Sequence, residues 1–378
     1  MNNPSSPIDN ENANQPRRLP LFCIICFGLA GVSAILYFVF TKSAVFADWF
    51  NITVSPIGRR LLSYLTVWLP FSVAEWLILL IPVFVIALTI VGWRLCAVSR
   101  RAVILFITKL LSIACAVWII FVWNFAPAYY GTTLDRKLGL DRQEVSADEL
   151  YQTALILSIQ LDNVADQLVF PSDTSSSVMP YSYEQMNQKL MDAYKSYTEE
   201  HDFPDHFYSR VKPVMLSEPM SYTHITGVYS FFTGEANINV NFPDYTIPFT
   251  AAHELAHQRG VAREDEANMV AFLVCMESDD LYIRYSALLN VYEYVASALY
   301  SADRELYVAV AQRLPSQIRQ EQRAYSEFFD QYRENTVAEI SEATNNAYLQ
   351  SQGAKEGTRS YNMVVDLTVA YYRPLFIS

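Results

Sequence analysis

The chain contains few charged residues: Asp, Glu, Lys and Arg make up 17% of its 378 residues, whereas hydrophobic residues make up 52%. Soluble proteins average about 25% charged residues, so this composition argues against a chain that is soluble throughout. Basic residues are outnumbered in the later part, where the chain after Tyr129 has 18 Lys and Arg against 35 Asp and Glu. The resulting net charge of −17 repels phosphate groups, which argues against nucleic acid as a partner and against adsorption to anionic lipid.

Cysteine and histidine are also scarce, with five of each. Four of the cysteines lie in or beside long apolar runs in the first third of the chain, and the fifth is Cys275. The region after Tyr130 therefore has neither a disulfide framework nor a cysteine zinc cluster. No histidine follows His257, so any catalytic group supplied by the C-terminal segments must be of another type.

Long apolar runs occur only before Tyr130. We predict three transmembrane helices, at Leu19–Phe40, Trp76–Trp93 and Ala102–Trp123, because each run approaches the length needed to cross a bilayer. They form a membrane domain over residues 19–129, with the lipid bilayer as its partner. Residues 1–18 are rich in Asn, Ser and Pro and are predicted to be a disordered cytoplasmic tail.

Basic residues in short loops indicate the orientation of such helices. The two sides carry five each: Arg17, Arg18, Arg94, Arg100 and Arg101 against Lys42, Arg59, Arg60, Arg136 and Lys137. Lys109, near the start of the third run, favours a cytoplasmic N-terminus. Three crossings then place residues 130–378 outside the cytoplasm, in a multi-pass protein of the cell membrane.

The segment Ser55–Leu69 mixes two arginines with leucine, isoleucine and tryptophan. This pattern is typical of a helix that lies in the membrane interface. The alternative is a connector beneath the following domain, and we favour the connector.

The motif His253-Glu-Leu-Ala-His257 carries the chemistry of the chain. Two histidines four residues apart share one face of a helix, about one turn from each other. Two neutral imidazoles at this spacing can bind one zinc ion, which is the predicted cofactor. Glu254 lies beside the metal rather than on it, where a general base could take a proton from the attacking water.

A catalytic zinc requires a third protein ligand. Gly260 can adopt positive φ and end the helix, and a second helix is predicted to begin near Arg263. Glu264 in its first turn is the predicted third ligand, and Asn268, one turn later, could orient a ligating histidine. Two alternatives remain for the ligand: Glu266 on the same helix and Glu235 on a separate segment. Acidic residues at a helix N-terminus also occur without any metal.

The run His253–Gly260 followed by Glu264 and Asn268 resembles the zincin metallopeptidases that have a glutamate third ligand. Thermolysin-like enzymes pair H-E-x-x-H with a later E-x-x-x-D, and here Asn268 stands where they have aspartate. Arg263 stands where metzincins have a third histidine, so that assignment fails. Most of the chain resembles a bacterial membrane family, domain of unknown function 3810, which implies a zinc peptidase.

Zincins hold a peptide substrate on an edge strand before the metal helix. Alternating apolar residues and asparagines over Ala236–Asn241 predict such a strand, with Asn237 and Asn239 as substrate-binding residues. An ordinary hairpin with polar residues facing solvent is the alternative. The reaction also needs a donor for the developing oxyanion, for which Tyr361, close to Arg359, is the predicted residue.

These observations predict a mainly α protein: three transmembrane helices, then an α-rich zincin-like domain over residues 130–378 with a small β edge strand or hairpin. The predicted function is a membrane-anchored zinc metallopeptidase that hydrolyses a peptide or protein substrate. The alternative is a non-catalytic sensory or structural membrane protein with a metal-stabilised domain.

Overall fold

A computed structural model describes residues 19–171, 176–201, 203–354, 356–357 and 363–376. Helices make up most of these residues, and the described strands form one small sheet. The mainly α fold class predicted from the sequence is confirmed. The predicted tail at residues 1–18 and the predicted oxyanion residue Tyr361 lie outside the described residues.

Three helices in the N-terminal part are long and apolar enough to cross a membrane. The helices of this part are α1 (Leu21–Phe40), α2 (Ala44–Thr53), α3 (Ser55–Thr66), α4 (Val73–Leu79), α5 (Ile81–Val98) and α6 (Arg100–Asn124). The three apolar ones are α1, α5 and α6, and α6 packs against both α1 and α5. The predicted second run, Trp76–Trp93, is divided between α4 and α5, because the helix restarts with Pro82 in its first turn and proline has no amide hydrogen.

Helix α3 has its polar side inside the protein and its apolar side outside. Arg59 and Ser63 are buried, whereas Ile57, Leu61 and Leu65 are each more than half exposed. This is the reverse of a helix on a soluble protein. The connector hypothesis accounts for the buried side, and the interfacial-helix hypothesis accounts for the exposed one.

The chain after α6 forms a helical body with one main hydrophobic core. Its helices are α7 (Pro127–Tyr130), α8 (Leu134–Leu138), α9 (Ala147–Ala165), α10 (Tyr183–Glu200), α11 (Ser217–Ser221), α12 (Thr246–Gln258), α13 (Glu264–Met276), α14 (Leu281–Ala302), α15 (Arg304–Ala311), α16 (Ser316–Asp330), α17 (Thr336–Ser351) and α18 (Val364–Tyr372). Helices α12, α13 and α14 pack against one another, with α9 against α14 and α18 against α13. The centre of this body is therefore built around the segment that carries the predicted metal motif.

The described strands β1 (Val211–Pro213), β2 (Gly227–Ser230) and β3 (Glu235–Ile238) form a sheet in the order β1-β3-β2. β3 pairs in parallel with β1 and antiparallel with β2, so the predicted hairpin is present, but Asn237 and Asn239 are buried rather than facing solvent. The prediction that the Ala236–Asn241 segment forms an edge strand is wrong, because β1 covers its other side. The alternation within one strand cannot reveal a partner that lies more than twenty residues earlier in the chain.

Candidate metal centre

Helix α12 carries His253, Glu254 and His257 into the interior. All three side chains are buried, as are most of the helix's apolar residues, because the sheet, α13 and α14 cover the helix. The helix ends at Gly260, whose φ of 91° lies in the left-handed region that glycine adopts without strain. This turn directs the chain into α13, which begins at Glu264 and packs beside α12.

The structure brings His253, His257 and Glu264 together. One ligand atom from each lies within 4.8 Å of the others. Oε2 of Glu264 is 3.2 Å from Nε2 of His253 and 3.3 Å from Nε2 of His257. Neither contact has hydrogen-bond geometry, so this buried oxygen has no hydrogen-bond partner. Three side chains whose possible metal-ligating atoms converge in this way form an arrangement suited to a shared cation.

The other ring nitrogen of each histidine is fixed by a neighbour. Nδ1 of His253 lies 2.8 Å from Oδ1 of Asn268, and Nδ1 of His257 lies 2.7 Å from the carbonyl oxygen of Val261. A carbonyl oxygen only accepts, so each Nδ1 donates, and in the neutral imidazole each Nε2 directs its lone pair towards Glu264. Asn268 thus occupies the orienting position that its spacing from Glu264 predicted.

Burial and mutual attraction set the protonation of this cluster. Burial lowers the pKa of His253. Burial also acts to lower the pKa of His257, but the Glu264 carboxylate outweighs it and raises that pKa to about 9. Burial acts to raise the pKa of Glu264, and His257 and His253 outweigh it and hold the pKa well below its ordinary value. Glu264 is therefore an anion that requires a positive charge beside it.

Glu254 lies beside this cluster with a carboxylate that is only partly satisfied. The backbone N–H of Tyr229 on β2 bonds the carboxylate, and Oε2 has no hydrogen-bond partner. Burial raises the pKa of Glu254 to about 8. A Cβ at Gly227 would lie 2.6 Å from Oε1 of Glu254, so only glycine allows β2 to pass this closely. The sequence analysis missed Gly227, because a glycine at the start of a short strand is not distinctive.

The donor set fits zinc. Two imidazole nitrogens and one carboxylate oxygen are among the protein ligand sets of catalytic zinc sites, and a fourth position stays open for water or substrate. The buried and unpartnered oxygen of Glu264 is the structural observation that supports this fit.

The two alternative ligands lie elsewhere. Glu266 accepts hydrogen bonds from Arg263 at 2.8 Å and from the backbone N–H of Leu134 at 3.0 Å. Glu235 forms a buried ion pair of 2.6 Å with Lys212 and accepts the backbone N–H groups of Val73 and Ala74. Both carboxylates are occupied by partners within the protein, so neither belongs to the metal cluster.

Asn237 and Asn239 are buried and bonded within the protein. Nδ2 of Asn237 lies 3.2 Å from the carbonyl oxygen of Val228, and Nδ2 of Asn239 lies 3.0 Å from Oγ of Ser221. Neighbouring side chains on a strand point to opposite faces, and Ala236 and Ile238 belong to the core cluster that includes α12 residues. Their predicted contact with substrate stays a prediction, and these bonds do not favour it.

Two tyrosines not singled out from the sequence interact electrostatically with Glu264. Tyr294 is hydrogen-bonded to Asn268, and burial raises its pKa to about 12. Tyr348 on α17 is 37% exposed and accepts a hydrogen bond of 3.1 Å from the hydroxyl of Tyr129. With 25 tyrosines in the chain, no sequence signal distinguishes these two.

A comparison with protein families gives one match that covers most of the chain. A family model described as "Protein of unknown function (DUF3810)" matches residues 50–369, which include both α12 and α13. No curated protein and no solved structure matches the chain.

Proposed function

We propose that the chain, which belongs to the DUF3810 family, is a membrane-anchored zinc metallopeptidase. The observation that carries this proposal is the convergence of His253, His257 and Glu264 around an unpartnered carboxylate oxygen, with Glu254 beside them. A zinc ion bound by these three ligands would polarise the scissile carbonyl and lower the pKa of water towards ~7. The proton transfers and the hydrogen bond to the oxyanion would come from side chains of the protein.

Glu254 is the proposed general base. It has one carboxylate oxygen without a partner, while the Tyr229 N–H fixes the position of the group. The charge of a bound zinc ion would lower the raised pKa of Glu254, and its carboxylate could then take a proton from the attacking water and transfer it to the nitrogen of the leaving amine. Tyr348 is our candidate among the described residues to donate a hydrogen bond to the developing oxyanion, because it is exposed and close enough to interact with Glu264.

The peptide is proposed to bind along β2 rather than β3. β2 is an edge strand of the sheet and passes directly over Glu254. The carbonyl oxygen of Thr226 accepts the N–H of Asn239, so alternation directs the N–H groups of Gly227 and Tyr229 away from β3. The Tyr229 N–H bonds Glu254, which leaves the N–H of Gly227 for the peptide. An extended peptide beside Gly227 would have its backbone next to the base and the metal ligands.

The C-terminal body is proposed to lie outside the cytoplasm. The ends of α1 and α6 and the start of α4 contact this body, whereas the α5–α6 turn, which carries Arg100, lies at the opposite ends of the apolar helices. Two basic residues on the side of the body are engaged by protein groups: Arg59 is buried and Arg60 pairs with Asp205. The basic residues around Arg100 therefore favour a cytoplasmic N-terminus.

The replacement Glu254→Gln tests the catalytic assignment. The amide fills the same space but cannot accept a proton from water. Parent and variant should each bind one zinc per chain, and the variant should hydrolyse peptides about 10²–10⁴-fold more slowly than the parent, mainly through kcat. The measurements are metal content by mass spectrometry and turnover of a mixed peptide library.

Two results would contradict the proposal. Equal turnover of the same peptide by the parent and by Glu254→Gln would remove the base and with it the hydrolase mechanism. A parent protein that binds zinc but cleaves no peptide would favour the non-catalytic alternative, a metal-stabilised sensory or structural domain.

A further inference from the structure

Two arginines are completely buried close to the C-terminal end of α12, and neither is hydrogen-bonded to a carboxylate. Arg59 on α3 is 1% exposed and donates hydrogen bonds to Oδ1 of Asn51 at 2.7 Å and to the carbonyl oxygens of Asn51 and Asn124 at 2.8 and 3.0 Å. All of these acceptors are neutral. The charge of Arg59 is therefore solvated by dipoles but not compensated.

Arg259, two residues after His257, is in the same situation. It is 0% exposed, and its guanidinium donates to the carbonyl oxygens of Leu255 and Phe207 at 3.2 and 3.0 Å and to Oγ of Ser209 at 3.1 Å. The ring centroids of Tyr194 and Phe207 lie 4.3 and 5.0 Å from the guanidinium carbon. These contacts position the guanidinium firmly, but again they supply no negative charge.

The nearest carboxylate is used by a third arginine. Both oxygens of Asp205 accept hydrogen bonds from Arg60, at 2.5 and 3.2 Å. Burial lowers the pKa of Arg59 and of Arg259 to about 10, which still leaves both groups charged at neutral pH. Buried charges in proteins are normally paired, because an uncompensated buried ion strongly destabilises the fold. The charge of Asp205 also acts on both buried arginines, so three guanidinium groups share one carboxylate, and the net positive charge that remains favours a bound anion.

A small cavity lies between these two arginines. Its volume is about 50 Å³, and it is lined by Asn51, Ile52, Arg59, Phe203, Asp205 and Arg259. The Nε atoms of both buried arginines have no hydrogen-bond partner. One water occupies roughly 30 Å³ in the liquid, so the cavity has room for one monatomic anion but not for a peptide terminus.

We propose that this cavity is a binding site for one monatomic, monovalent anion such as chloride, held by Arg59 and Arg259. The Asp205 carboxylate at its wall disfavours anions of higher charge, and Ile52 and Phe203 close it with apolar surface. The proposal does not depend on the peptidase assignment, because every residue that it uses lies outside the metal cluster.

The anion would connect α2 and α3 to the turn that follows α12. Nδ2 of Asn51 donates to the carbonyl oxygen of Gly260 at 2.9 Å, and a Cβ at Gly260 would lie 2.7 Å from Cζ of Arg59. With the anion bound, α2 and α3 are held against the turn that follows α12. Without it, repulsion between the two guanidinium groups acts directly on that turn.

Thermal unfolding of the full-length, metal-free protein in detergent tests the site. At constant ionic strength, replacement of gluconate by chloride should raise Tm by several degrees in a saturable manner, because an anion that binds only the folded state stabilises it. Bromide should reproduce the increase and sulfate should not. Equal Tm values in chloride and gluconate would overturn the proposal, and an equal increase with sulfate would overturn the assignment to a monatomic anion.

Variants test whether Arg59 and Arg259 bind the anion. Arg59→Gln and Arg259→Gln should each lose the chloride-dependent increase, whereas Arg142→Gln, in which the arginine lost is already paired with Asp265 and Asp366, should keep it. An increase that persists in both cavity variants would place the anion elsewhere. If neither variant folds, anomalous scattering from crystals of the parent protein grown in bromide decides: a peak between the two guanidinium groups supports the site, and its absence refutes it.

Discussion

Helices α5 and α13 differ in opposite ways from the helices of an ordinary soluble protein. None of the 18 residues of α5 is buried, although the helix consists almost entirely of apolar residues. In α13 every residue from Glu264 to Cys275 is buried, including three acidic residues in the first turn. Exposed apolar side chains along a whole helix are typical of a helix that contacts lipid. Buried acidic side chains are typical of a helix whose charges have a specific role.

The three acids of α13 show what makes such burial possible. Glu264 faces two histidines, Asp265 pairs with Arg142 at 3.0 Å, and Glu266 pairs with Arg263 at 2.8 Å. Two of these carboxylates have a permanent cation, and the third has only imidazoles, which are neutral when they act as metal ligands. Among these three carboxylates, Glu264 is therefore the one without a lysine or arginine partner, and a metal ion could supply its positive charge.

The largest effect should come from removal of this carboxylate. Glu264→Ala and His257→Ala should each lose zinc, because two remaining ligands cannot complete the three-ligand set of a catalytic site. Glu266→Ala is the matched control, since it removes a buried acid of the same turn that already has its own cation. Calorimetric titration with zinc measures the difference. Normal binding by Glu264→Ala together with loss of binding by Glu266→Ala would assign the ligand role to Glu266.

A smaller effect should follow from Gly227→Ala. The added methyl group would overlap the Glu254 carboxylate and displace it, while the three ligands on α12 and α13 remain in place. A displacement of about 1 Å can lower turnover by roughly 100-fold, so kcat should fall by that order with zinc stoichiometry unchanged. Gly31→Ala, where no atom lies within 4 Å of the new Cβ, is the control. Parental kcat in Gly227→Ala would mean that the distance between β2 and the base is unimportant.

The smallest effect compares one truncation in the two helices. Val270→Ala in α13 removes two buried methyl groups and should destabilise the protein by about 1.6 kcal/mol at ~0.8 kcal/mol for each, with a further contribution from the cavity. Val85 in α5 is 55% exposed, and lipid solvates a valine as well as protein does, so Val85→Ala should leave Tm nearly unchanged. Thermal unfolding in detergent measures both. Equal losses of Tm would show that α5 packs against protein along this face.

The cluster of His253, His257 and Glu264 was predictable because its members lie close together in sequence. The spacing of His253 and His257 fixes their relation on any α-helix, and Gly260 predicts the turn that returns Glu264 to them. Asn268 follows from the same periodicity. The three apolar helices were equally predictable, since length and composition are local properties of the sequence. The exception is the division of the second run into α4 and α5 near Pro82.

Contacts between distant segments were not predictable. The pairing of β1 with β3 reversed the assignment of the edge strand, and it involves residues 25 positions apart. Gly227 approaches Glu254 because the sheet packs on α12, and Arg59 approaches Arg259 because α3 contacts the C-terminal end of α12. Each of these side chains has no periodic relation to its neighbour in space, and thus no pattern in the sequence records the contact.

The sequence by itself determined which residues share a helix face and which stretches are apolar enough for a membrane, because backbone geometry converts spacing into direction over a few turns. Only the tertiary structure decided which buried charges are compensated. Glu266 and Glu235 have cations of their own, Glu264 faces two imidazoles, and Arg59 and Arg259 face a cavity. Charge compensation depends on distances of a few ångströms between segments far apart in the chain, and those distances exist only after the chain has folded.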